Sequence, residues 1–201
     1  TRQLVAQRSR PLRELKGFTK IALKAGQRRT GRLTLNARDL AYHDDEGRPV
    51  IEPGTFRIFV GGSSAGGHLT GTLLAGGWHE EFGVPADVVK GALPVSGLFH
   101  LGPIASSFVS EWISLTKAEV EALSPAANLP AQGCPIVVAY AGVEPAGFAR
   151  QSAEYDRLWR EAGFASRLLE IQGRNHFDVI LDLAEPDTAL TKALLDLILT
   201  P

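Results

Sequence analysis

The chain has 201 residues, a formal net charge of −1, 44% apolar residues and 21% charged residues, so it is long enough to bury one core and has the balance of an ordinary globular domain. It has no long run of one charge sign, which argues against nucleic-acid or membrane-surface binding, and no apolar stretch approaches the about 18 residues of a bilayer span. Cys134 is the single cysteine, which excludes an intrachain disulfide; ahead of an apolar run it reads as a buried packing residue.

Taken in order, residues 1–10 lack the apolar segment of a secretory signal, and a cytoplasmic location is expected. The sequence has no methionine, even at position 1, which reads as a processed or trimmed chain. Residues 1–60 are β-rich, with alternating runs at 20–23, 31–35 and 55–60 separated by Gly-, Asp- and Pro-rich turns, the pattern of antiparallel hairpins. The acidic residues 44–46 lack the spacing of a calcium loop and read as turn chemistry. His79-Glu80-Glu81 lacks the second histidine of a zincin, so no metal is expected there.

At 56–68 a short apolar run meets Gly62-Ser63-Ser64-Ala65-Gly66, and a helical pattern follows. A Gly-x-Ser-x-Gly between a strand and a helix is the layout of a nucleophile elbow, with Ser64 as the exposed nucleophile. Gly62 and Gly66 are expected to leave room for strand and helix to cross closely. Ala65, next in the chain, is the expected oxyanion donor through its backbone N–H.

Beyond Ser64 strands alternate with helices, which implies a mostly parallel sheet. Buried strands are predicted at 91–96, 135–140 and 167–171, helices at 148–162 and around 190–198, and irregular, partly helical material at 104–123. Trp78, Phe99, His100, Phe108 and Trp112 are candidate pocket residues, with core or lid packing the competing reading for each. Ligands of such sheets gather at the carboxyl ends of the strands. Ser64, Glu144 and His176 occupy successive ends, in the chain order Ser, acid, His. A serine hydroxyl needs a base to take its proton, an imidazole suits that task near neutrality, and a carboxylate fixes the imidazole tautomer. Asp178 is a rival for the acid, but its place two residues from His176 favours a role in the loop.

Two resemblances cover the chain. The motifs at 64–69, 89–98, 123–125, 148–152 and 173–179 resemble those of the arylformamidase (kynurenine formamidase)-type esterases of the α/β-hydrolase fold, from about Gly62 to the C-terminus. That resemblance implies Ser64 as nucleophile, Glu144 as acid and His176 as base, with no cofactor. The motifs at 10–18, 38–42 and 50–64 resemble the second half of the fibronectin-III-like domain that closes many family-3 β-glucosidases. No glycosidase catalytic domain accompanies it. The esterases carry further strands and a His-Gly-Gly oxyanion loop before the elbow, whereas only 63 residues precede Ser64 here and contain no such loop.

The expected fold is therefore α/β, a partial α/β-hydrolase-type, mostly parallel sheet at 61–201 with an antiparallel, fibronectin-III-like segment at 1–60. The expected function is hydrolysis of a small ester or aryl formamide. The rival is a non-catalytic fusion fragment or a β-sandwich-like interaction module. The strand at 56–60, lacking its usual neighbours, is expected to pair with 31–35, and a homodimer is expected to cover what remains exposed.

Overall fold

The computed structural model describes residues 2–3, 34–51 and 56–199. The chain forms two compact units, Thr1–Ile58 and Phe59–Pro201.

The first unit contains β1 (Arg2–Gln3), a 3₁₀ turn at Ala37–Leu40, and the hairpin strands β2 (Tyr42–His43) and β3 (Pro49–Val50). β2 and β3 are antiparallel, with Tyr42 opposite Val50 and His43 opposite Pro49. Asp44 makes the reversal: its carboxylate accepts the N–H groups of Glu46 and Arg48 and the Arg48 Nε, while Gly47 takes φ +75°. The Arg48 backbone N–H, more than any other group, holds the Asp44 carboxyl below the usual carboxylate range. The acidic loop is thus a turn closed on itself.

β4 (Phe56–Ser63) begins in this unit and ends in the next. Its first residues pair antiparallel with β1, Arg2 opposite Arg57 and Gln3 opposite Phe56. The expected partner was 31–35. Residues 31–33 lie outside the described residues, as does the predicted strand at 20–23, and Thr34 and Leu35 are not in a strand. At Phe56 and Arg57 the pairing position belongs to Arg2 and Gln3.

The second unit follows with α1 (Ala65–Leu74), α2 (Trp78–Phe82), β5 (Val89–Val95), α3 (Gly102–Ala105) and α4 (Lys117–Leu123). β6 (Ile136–Val143), α5 (Ala146–Glu161), β7 (Ser166–Asn175) and α6 (Ala189–Leu199) complete it. The strand order is β4-β5-β6-β7. β5 and β6 are parallel, with Ala92 opposite Ile136 and Val95 opposite Ala139; β6 and β7 are parallel from Ile136 opposite Ser166 onward.

The period-2 alternation of the central strands divides the core between two faces. Leu93 and Val95 of β5 and Val137, Ala139 and Ala141 of β6 pack with Leu190, Leu194 and Ile198 of α6. Ala92, Ile136 and Val138 point the other way, onto Leu74 of α1 and Tyr155 and Trp159 of α5. Runs buried on both faces explain why β5 and β6 read as continuous apolar segments. Helix α5 is fastened at its far end by Asp156, whose carboxylate accepts Arg160 Nη2 at 2.7 Å and the Ser166 hydroxyl of β7 at 2.7 Å.

Cys134 packs beside this second cluster, and its carbonyl accepts the Trp159 indole N–H at 3.1 Å. Burial pushes its thiol up to about 11. The folded chain thus holds the proton that the unfolded chain releases near pH 9, so this group stabilises fully below that pH and progressively less from about pH 9 to 11. Cys134→Ser should flatten that part of the stability profile relative to wild type, read from urea melts at pH 8 and 10. Native Cys134 should also react with a disulfide reagent at pH 8 more slowly than the unfolded chain.

Candidate active site

The site is built where β4 becomes α1. Ser64 sits at φ 57°, ψ −116°, a conformation that costs a non-glycine residue about 1–3 kcal/mol. Its N–H donates to the Val95 carbonyl at 2.9 Å, which ties the turn to the end of β5. Two glycines make the crossing possible. A Cβ on Gly62 would lie 2.6 Å from the Gly66 carbonyl carbon, and one on Gly67 would lie 2.7 Å from the Val95 oxygen and 2.8 Å from Gly97 Cα. A Cβ on Gly66, assigned this job from the sequence, would meet nothing within 4 Å; Gly67 is the residue that close packing requires.

Three polar side chains converge here. The Ser64 Oγ is 2.9 Å from His176 Nε2, and His176 Nδ1 is 2.8 Å from Glu144 Oε2. The other oxygen of Glu144 accepts the Ser96 hydroxyl and the Ala141 N–H, each at 3.0 Å. The Glu144 side chain is 1% exposed and that of His176 15% exposed. A carboxylate this deeply buried stays compatible with the fold because each oxygen has a partner.

Strand ends deliver the residues. β6 stops at Val143, so Glu144 is the next residue; β7 stops at Asn175, so His176 is the next residue. The two meet through an irregularity in the ladder. Ala141 pairs with Ile171, yet Val143 pairs with Asn175, which leaves two extra residues on β7. Gly173, at φ +72°, absorbs the distortion. With unbroken register the level of Glu144 would face Arg174; the bulge brings His176 there instead. Beyond the histidine, Arg174 Nε donates to the buried Asp182 at 2.7 Å and anchors the turn to the next segment.

Asp178 takes no part in this chain of hydrogen bonds. Its carboxylate accepts the backbone N–H and side-chain amide of Asn175 at 2.6 and 2.9 Å, closing the turn around His176. Ala65 is the first residue of α1, so its N–H has no intrahelical acceptor, and it follows Ser64 directly. Phe148 of α5 lies on the His176 ring with centroids 4.2 Å apart, and Phe177 meets that ring edge-on while 86% exposed. Neither phenylalanine was singled out by the sequence for the site, and neither was Ser96.

The candidate pocket residues separate. Phe99 is fully buried and stacks on Tyr155 at 4.1 Å, so it belongs to the core. Trp78 stacks on His79 and donates its indole N–H to the Leu73 carbonyl. Phe108 and Trp112 pack edge-to-face with each other and are largely exposed. His100 does line a cavity of about 880 Å³, with Lys117, Glu121, Arg150, Gln151 and Glu154 among its other walls. No cluster of His, Cys, Asp or Glu among the described residues is arranged to hold a metal ion, and no described helix is long and apolar enough to cross a membrane.

Known proteins match the chain in more than one way. Residues 1–64 match a family model for a fibronectin type III-like domain. The periplasmic beta-glucosidase of Salmonella typhimurium is 39% identical over 62 residues, which is 31% of this chain and 8% of that protein. The kynurenine formamidase of Danio rerio is 32% identical over 146 residues, 70% of this chain and 49% of that protein. Two resemblances share one chain. A solved structure from Silicibacter sp. tm1040, provisionally assigned as a thioesterase, superposes with a TM-score of 0.57 at 25% identity, covering 68% of this chain and 50% of the other. The chain spans about half the length of the curated relatives it first matches. Its sheet is that of an α/β-hydrolase-like protein, mostly parallel, with the small antiparallel hairpin near the N-terminus.

Because Gly67 faces backbone atoms that cannot swing away, Gly67→Ala should destabilise the protein by about 1–3 kcal/mol, measured as a lower melting temperature. Gly66→Ala, which meets open space, should melt close to wild type.

Proposed function

We propose that the chain is a serine hydrolase of small carboxylic esters, acting through an acyl-enzyme, with Ser64 as nucleophile, His176 as general base and acid, and Glu144 as the acid that orients the imidazole. The observation that carries this reading is the continuous path from Ser64 Oγ through both ring nitrogens of His176 to Glu144. In the reaction, His176 Nε2 takes the hydroxyl proton as Ser64 Oγ attacks the carbonyl carbon. Ala65 N–H donates to the oxyanion. Collapse expels the alcohol, or an aryl amine from a formamide, with the proton returned by His176. Water then repeats the sequence on the acyl-serine. Glu144 holds Nδ1 protonated and stabilises the imidazolium.

If Ala65 N–H is the sole donor and the N-terminal segment supplies no second one, kcat should be lower by about 10²–10³. Activated short esters should therefore be turned over faster than aryl formamides. Release of aryl amine from N-formylkynurenine at a rate matching p-nitrophenyl acetate would reverse that order. The reading also includes a homodimer burying more than about 1,000 Å², supported by the exposed apolar side chain of Ile58 on β4; a monomer in light scattering at micromolar concentration would remove it.

The two partial resemblances favour one other reading, a fusion of two incomplete domains without catalysis. Hydrolysis of p-nitrophenyl acetate separates them. Ser64→Ala and His176→Ala should each lower kcat by about 10⁴-fold or more, with little further loss in the double variant; equal rates in wild type and Ser64→Ala would select the fusion. Glu144→Gln should cost about 10²–10⁴-fold, whereas Asp178→Asn should retain most of the activity.

A further inference from the structure

We infer that Ser96 is a positioning residue, which keeps the Glu144 carboxylate in register with His176. The inference rests on Ser64, His176 and Glu144 acting as a triad. Ser96 directly follows β5 and has φ +45°, one of two non-glycine residues with positive φ among the described residues; the other is Ser64 itself. Glycine is the residue that adopts this conformation without strain. Ser96 is fully buried, and its hydroxyl is 3.0 Å from Glu144 Oε1. A strained backbone that retains a buried hydroxyl points to a task for the hydroxyl.

The geometry says what the task is. Glu144 Oε1 has two donors that come from different strands: Ala141 N–H from its own β6, and Ser96 Oγ from the end of β5. With Ala141 alone, the carboxylate would have one anchor and could swing about it. The second anchor fixes its plane and leaves Oε2 aimed at His176 Nδ1, 2.8 Å away. The backbone around Ser96 is itself braced. Its N–H donates to the Ala139 carbonyl at 2.8 Å, and the preceding carbonyl, Val95, accepts the Ser64 N–H at 2.9 Å. Adjacent residues at one strand end thus hold both ends of the triad, the nucleophile by its backbone and the acid by its side chain. The hydroxyl touches no reacting atom, so its effect runs through Glu144.

Stability and activity should therefore part company at this position. Ser96→Gly relieves the backbone strain and removes the hydroxyl. It should melt at or above the wild-type temperature while kcat on p-nitrophenyl acetate falls about ten- to a hundredfold, the range expected for a hydrogen bond to a charged group, with KM little changed. Ser96→Ala should lose kcat similarly and melt lower. In a Glu144→Gln background, Ser96→Gly should change the rate by less than about twofold, because the two act as a unit. Wild-type kcat in Ser96→Gly would overturn the inference. So would a Ser96→Gly chain that fails to fold, or an equal loss in the Glu144→Gln background, since either assigns Ser96 a different role. Glu144→Gln alone, at wild-type kcat, would mark the failure of the triad itself rather than of Ser96.

Discussion

The register of β6 against its two parallel neighbours is the constraint on which the site depends. On one side, Val95 opposite Ala139 brings the end of β5, with Ser96, alongside the end of β6. On the other, Val143 opposite Asn175 places His176 level with Glu144. Because side chains alternate along a strand, a slip of one residue at either boundary would turn the polar residues to the other face and exchange the apolar side chains fitted to α6 with those fitted to α1 and α5. The same pairing that buries Val137, Ala139 and Ala141 against α6 therefore also sets the distances between three hydrogen-bonding groups. Packing and chemistry share one determinant.

Much of this was legible in the residues, and the limits have physical causes. β5 and β6 announced themselves because both faces are buried, so their apolar runs are unbroken. Helix α5 showed its 3.6-residue period through Tyr155 and Trp159, which lie fully inside. Strand ends were read short: β6 runs to Val143 rather than residue 140, and β7 to Asn175 rather than residue 171. Beyond those points the side chains are small, exposed or polar (Ala141 and Gly142, the exposed Val143, and the polar end of β7), so hydropathy does not mark them. Ser64, Glu144 and His176 could be placed at strand ends from chain order alone. Ser96 could not be singled out, because its partner is 48 residues away in sequence. Phe99 suffered the same ambiguity in reverse: a candidate for the pocket wall, it is committed to the core by a stack with Tyr155 that only the fold creates.

The elbow concentrates unfavourable local conformations in a small region. Ser64 and Ser96 both have positive φ, and Gly62 and Gly67 are crossed at distances that exclude a side chain. Such strain persists only where surrounding structure over-determines it. Here the restraint comes from opposite directions: Ser64 is tied to Val95, Ser96 to Ala139, and the sheet beneath is closed by apolar contacts on both faces. Among the described residues of the N-terminal unit, the hairpin at 42–50 is closed by Asp44, which gathers donors from its own turn.

The two surplus residues of β7 bear on how sequences of this kind can diverge in length. Around them the ladder is regular, so the distortion near Gly173 is the sole place in that strand pair where the residue count sets which side chain stands opposite Glu144. An insertion or deletion there would exchange the imidazole for a neighbour while leaving the strand and its apolar face intact, producing a well-folded descendant whose hydrogen-bonded path from Ser64 to Glu144 is broken. By contrast, the exposed turn at Ala86–Asp87 before β5 precedes the register-determining pairs, and length changes there leave the site's spacing untouched. Lineages built on this sheet would thus be expected to vary freely at one loop and to hold constant length at the other.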